Sequence, residues 1–146
     1  MSWCPDRRVE RIAKYALQFA SDSLADQFRH AALHAQEQAA ADSHRSVRVS
    51  QIEDLGVRLI REGTERISED LKRVLTDQYG SVPVCARAWL LQMTQETVTQ
   101  LRVAIRDDLD ARFDSSERGR DRMSREENKA MRACAIGLIS VPRTTG

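Results

Sequence analysis

Residues 9–39 read VERIAKYALQFASDSLADQFRHAALHAQEQA, and this stretch decides the fold class. Val9, Ile12, Ala13, Ala16, Leu17, Ala20, Leu24, Phe28, Ala31, Ala35 and Ala39 recur at steps of three and four. That spacing lays side chains along one stripe of an α-helix. Ser21-Asp22-Ser23, with Asp26 three residues past Ser23, has the pattern of a helix start. The apolar stripe keeps its phase across it, which two independent helices would have no reason to do. One long helix over about residues 6–41 is therefore predicted.

Working outward, residues 42–49 are polar, contain His44, Arg45 and Arg48, and read as a loop. Ser50-Gln51-Ile52-Glu53 is a capping-box pattern opening a second helix, about 51–79, striped by Ile52, Leu55, Leu59, Ile60, Ile67, Leu71 and Val74. Gly63 falls in that stripe and Gly56 on its edge. An interior glycine costs about 1 kcal/mol against alanine, so a closely approaching neighbour is expected as compensation. Gly80 suits a left-handed C-terminal cap, and Pro83 suits the start of a third helix, about 83–113. Its stripe is Leu90, Leu91, Val98, Leu101, Ile105 and Leu109, and a second face carries Trp89, Met93 and Val103. Residues 114–123 are dense in charge and read as a linker. Ser124-Arg125-Glu126-Glu127 then reads as a capping box before a short fourth helix, about 125–140.

The expected architecture is all-α: an elongated antiparallel bundle of three long helices plus a short C-terminal helix, one domain over residues 1–146. Six glycines and three prolines are too few for the many turns of an all-β chain. With 41% hydrophobic and 31% charged residues, the chain can build a core and lies outside the disordered regime. The net charge of +1 does not by itself point to nucleic acid. Cys4, Cys85 and Cys134 are odd in number and widely spaced, which predicts reduced thiols in a cytoplasmic protein. No apolar run approaches the ~20 residues of a membrane span, and no secretory leader is recognisable.

The chain lacks the GxSxG, Walker A, GxGxxG and HExxH patterns, and it lacks the ExxH pair of a di-metal bundle. Its carboxylates, such as Glu62, Glu65 and Glu69, alternate with arginines at spacings that suit surface ion pairs. Asp26, His30 and His34 step by four and can share a helix face, a weak metal-ligand arrangement. No cofactor is implied.

The segment Arg29-His30-Ala31-Ala32-Leu33-His34 resembles the arginine-polar-x3-histidine motif of HEPN ribonucleases. The resemblance covers six residues and falls in the first helix, whereas that family carries its motif late in the domain. It implies an all-helical dimer in which His34 serves as acid or base and Arg29 stabilises the phosphate transition state.

Arg45 and Arg48 form one small basic cluster and Arg118, Arg120, Arg122 and Arg125 another, which together support a nucleic-acid-backbone-binding alternative. The primary expectation is different. A third helix apolar on two faces needs more cover than a three-helix bundle offers, and Trp and Met are enriched at interfaces. Trp89, Met93 and Val103 are therefore the expected interface. The expected role is that of a non-enzymatic helical interaction protein, self-associating or a small subunit of a larger bacterial-type assembly.

Overall fold

Asp6 starts the first helix: its Oδ1 accepts the Val9 N–H at 2.9 Å, satisfying a donor the helix leaves free. In the computed structural model, which describes residues 4–39, 45–113 and 117–140, helix α1 then runs unbroken over Arg7–Ala39. It passes through Ser21–Ser23 as one helix. Helix α2 spans Arg45–Tyr79 and ends on Gly80, whose φ of +80° and N–H bond to the Thr76 carbonyl make the left-handed cap. Pro83 precedes a single 3-10 turn, Val84–Ala86, from which α3 continues over Arg87–Arg112. Helix α4 spans Glu117–Ser140.

Two boundaries correct the sequence expectations. The fourth helix is not short: at 24 residues it nearly matches the 26 of α3. Residues 117–123, expected as linker, form its first two turns, because Met123 is an apolar anchor buried to 1% exposure. Helix α2 likewise begins at Arg45, five residues before the expected cap. Ser50 and Ser124 therefore sit inside helices, and neither capping box opens one.

The Asp6 N–H reaches the Tyr79 hydroxyl at 3.1 Å, which sets the start of α1 beside the end of α2. Arg112 donates to Gln36, so α1 and α3 end together. Arg120 pairs with Asp110 and Arg122 with Asp54, which brings the start of α4 to that same end. The helices alternate up and down. Helices α2 and α3 form a central pair that packs against each other and both remaining helices, while among the described residues the backbones of α1 and α4 lie apart. Helix α3 thus has three neighbours. That accounts for its apolar residues on several sides without a second chain.

The core runs the length of the bundle through Phe28, Leu59, Ile67, Leu71, Leu101, Ile105 and Leu109. Thr64, Thr94 and Thr97 are buried within it, and each hydroxyl donates to the carbonyl four residues earlier, so none is left unpaired. The α1 stripe shifts slightly from expectation. Ala32 is fully buried and Ile12 is exposed.

The central pair meets at the two glycines of α2. A Cβ on Gly63 would lie 3.0 Å from Leu101 Cδ2 and 3.1 Å from Leu24 Cδ1. One on Gly56 would lie 3.2 Å from Ile105 Cγ2 and 3.3 Å from Met123 Sδ. These are the close approaches that the sequence anticipated. Side chains of α1, α3 and α4 fill the notches that the two glycines leave in α2.

The cysteines bring a further correction. Cys4 and Cys85 form a disulfide, with Cα atoms 6.0 Å apart across 81 residues of sequence. Cys134 alone is free. Spacing rules see only local pairs, whereas here the alternating topology carries the start of α1 to the turn before α3.

Gly63→Ala gains about 1 kcal/mol of helix propensity. It also overpacks a site whose neighbours Leu24 and Leu101 are themselves buried, at a cost of about 1–3 kcal/mol. A net fall in stability is expected by chemical denaturation. Gly137→Ala, with open space around its Cβ position, should instead raise stability by up to about 1 kcal/mol. Removing the disulfide as Cys4→Ser/Cys85→Ser should cost on the order of 3–5 kcal/mol, because a closed loop of this length strongly restricts the unfolded chain. Thermal unfolding with and without reductant checks this, and the double variant should not respond to reductant.

Candidate interaction surface

Among the described residues helix α1 packs against α2 and α3, and its opposite flank faces outward. At ~100° per residue, Tyr15 and Phe19 fall within about 40° of each other on that flank. Their side chains are largely uncovered, at 75% and 72% exposure, and Ile12 at 36% lies one turn before them. Leu33, at 40%, lies farther along the same flank. Single exposed apolar side chains are ordinary, but a contiguous aromatic and aliphatic group on one helix face is a feature of binding surfaces. The group has charged ends. Arg8 and Arg11 precede it and are exposed, and among the described residues neither has an ion-pair partner. Asp22 and Asp26 follow it, also exposed. Asp22 accepts from Gln18 at 2.9 Å and Asp26 from Arg29 at 3.2 Å.

Sequence reasoning missed Tyr15 and Phe19. The signal was present: two aromatics four residues apart, both off the apolar stripe that defines the helix. Attention to the stripe hid them.

The expected interface residues lie elsewhere. Trp89 and Met93 are half-buried and packed against the core of their own chain, and Val103 is half-buried. Met93 shares a cleft between α1 and α3 with Lys14, Gln18 and Gln100.

Arg29 and His34 are five residues apart, which turns them roughly 140° from one another around the helix. Arg29 is engaged by Asp26, and His34 is exposed and hydrogen-bonded to Gln38 at 2.9 Å. Within the chain they do not form a joint site. His30 is exposed too, and among the described residues no three of His, Cys, Asp and Glu cluster to hold a metal.

The arginines of the expected basic linker become ties between helices once that segment is helical. Arg120 and Arg122 meet Asp110 and Asp54, while Arg125 is exposed and donates to the Asp121 carbonyl. The side chains of Arg45, Arg48 and Arg118 lie outside the described residues, as does His44. Among the described residues no helix is long and apolar enough to cross a membrane.

Two glutamates that resembled capping residues are instead buried. Glu127 accepts from Gln95, Thr99 and Arg102, all on α3, and so fixes where α4 sits on that helix. A carboxylate held by three donors is well satisfied, and removing one partner would leave a buried charge. Glu53 is buried near Arg122 and Asp54. Burial pushes its carboxyl above the ordinary 4.5, the Arg122 cation pulls it back, and Asp54 adds to the rise.

The chain matches no described protein family, and no curated protein and no solved structure is similar to it.

The raised Glu53 carboxyl gives a signed pH effect. The folded state holds the proton more tightly than the unfolded one. The resulting stabilisation is full below about 4.5 and is lost as pH rises through the folded value. Glu53→Gln should therefore raise the melting temperature at pH 7, and its advantage over wild type should shrink at pH 5. An advantage unchanged with pH would exclude burial of the charge as its source.

Proposed function

We propose that this chain is a non-enzymatic helical interaction protein that docks through the outward flank of α1. The observation that carries this is the exposure of Tyr15 and Phe19 side by side with Ile12. Aromatic side chains supply large contact areas at low entropic cost and are enriched at the centres of interfaces. The proposal keeps the interaction role expected from the sequence and moves its location from α3 to α1.

The alternatives draw less support. A ribonuclease site would hold His34 buried beside Arg29, whereas His34 is exposed and bonded to Gln38 and Arg29 is engaged by Asp26. Backbone binding of nucleic acid requires arginines able to neutralise phosphates, and Arg120 and Arg122 already face carboxylates. The disulfide bears on compartment. Disulfides persist in oxidising surroundings and are kept reduced in the cytosol. The Cys4–Cys85 bond therefore argues for an oxidising compartment over the expected cytoplasm.

A photo-crosslinking residue placed at position 15 or 19 should capture one adduct of defined mass in the producing cells. The same residue at the exposed Asp77 on α2 should not. Equal capture at all three positions, or none at 15 and 19, would refute the docking flank. The mass of the adduct separates a second copy of the chain from a different protein.

A further inference from the structure

The outward flank of α1 has an internal symmetry, and we infer that its partner is a second copy of this chain, paired antiparallel across a two-fold axis behind Leu17. The inference rests on the docking reading above and names its partner. Leu17 points into the core, so the direction opposite it is the middle of the exposed flank. Tyr15 and Phe19 lie two residues either side of Leu17. Arg8 and Asp26 lie nine residues either side, and on an α-helix of 3.6 residues per turn both project along that same middle direction. Arg11 lies six residues before and Asp22 five after, displaced to the same side of it.

Two copies related by this axis present self-complementary surfaces, as an isologous interface requires. Tyr15 of each meets Phe19 of the other. Arg8 meets Asp26, and Arg11 meets Asp22. A parallel pairing would instead set Arg8 beside Arg8 and Asp26 beside Asp26, which like charges oppose. The charges therefore select both the partner and its direction.

The contact is modest in size. Each aromatic side chain can bury ~150–250 Å², and the two copies together bring on the order of 1,000 Å² into contact. That is the lower edge of specific interfaces, so a reversible dimer with a Kd of roughly micromolar to tens of micromolar is expected.

Arg8 and Asp26 are about 27 Å apart along one helix and cannot meet within one chain. This makes charge exchange decisive. Arg8→Asp alone opposes two acidic pairs in the dimer, and Asp26→Arg alone opposes two basic pairs. Each variant should self-associate at least about tenfold more weakly than wild type in sedimentation equilibrium of the disulfide-intact chain. An equimolar mixture of the two restores both opposite-charge pairs and should dimerise within about threefold of wild type. All these positions are exposed, and far-UV circular dichroism verifies that the variants fold. A mixture no tighter than the separate variants would overturn the pairing, as would a wild-type chain that stays monomeric at several hundred micromolar. In that last case, a defined foreign adduct at position 19 would leave the docking flank standing. Loss of both the dimer and the adduct would remove the docking flank as well.

Discussion

Helix α2 carries glycine at two positions where side chains of its three neighbouring helices converge, and the core is packed into those two notches. Leu101 and Leu24 fill the notch at Gly63, and Ile105, Met123 and Phe28 fill the one at Gly56, so closely that an added methyl group would crowd them. Helices α2 and α3 each pack against the other three, and among the described residues the backbones of α1 and α4 lie apart on either side of that pair. That explains why α3 is apolar on several sides. A helix with three neighbours has little surface left to be polar.

The same geometry settles which buried charges the fold can hold. Glu127 sits where α4 crosses α3 and is met by a guanidinium, an amide and a hydroxyl from one helix. A non-directional apolar contact would let α4 slide by a turn. Three donors aimed at one carboxylate specify a single register, at the usual desolvation cost of a buried pair. Glu53 has weaker compensation, from Arg122 against the opposing push of Asp54, and its carboxyl bears the mark of that burial.

What could be read from the sequence divides along physical lines. The helix class, the continuity of α1, the Gly80 cap and the purpose of Gly56 and Gly63 were legible, because each follows from period, phase or local conformational cost. The starts of α2 and α4 were not. Ser50–Glu53 and Ser124–Glu127 satisfy a local pattern, but tertiary burial of the two glutamates claimed those residues for another purpose. The Cys4–Cys85 bond was hidden because it depends on topology across 81 residues rather than on spacing. The Tyr15–Phe19 face escaped for a different reason. Period finds what is buried, and it is silent about apolar residues placed off the stripe.

Helices α1 and α4 provide a comparison within one molecule. Each flanks the central pair, each touches two helices, and each therefore turns one flank outward. On α4 the exposed positions are chiefly Arg125, Asn128, Lys129, Arg132 and Ala133, with Ile136 the exception. On α1 the exposed flank carries Ile12, Tyr15, Phe19 and Leu33 among Arg8, Arg11, Asp22 and Asp26. Folding makes the same demand on both flanks, which is simply to face outward, so folding does not account for the difference. An aromatic pair held in water gains nothing until it is covered, and of the exposed charges nearest it on that flank Arg8 and Arg11 come before it and Asp22 and Asp26 after it. Cover supplied by an antiparallel copy satisfies the aromatics and the charges together. On the docking proposal, α1 is the flank that meets a partner and α4 the one left to solvent.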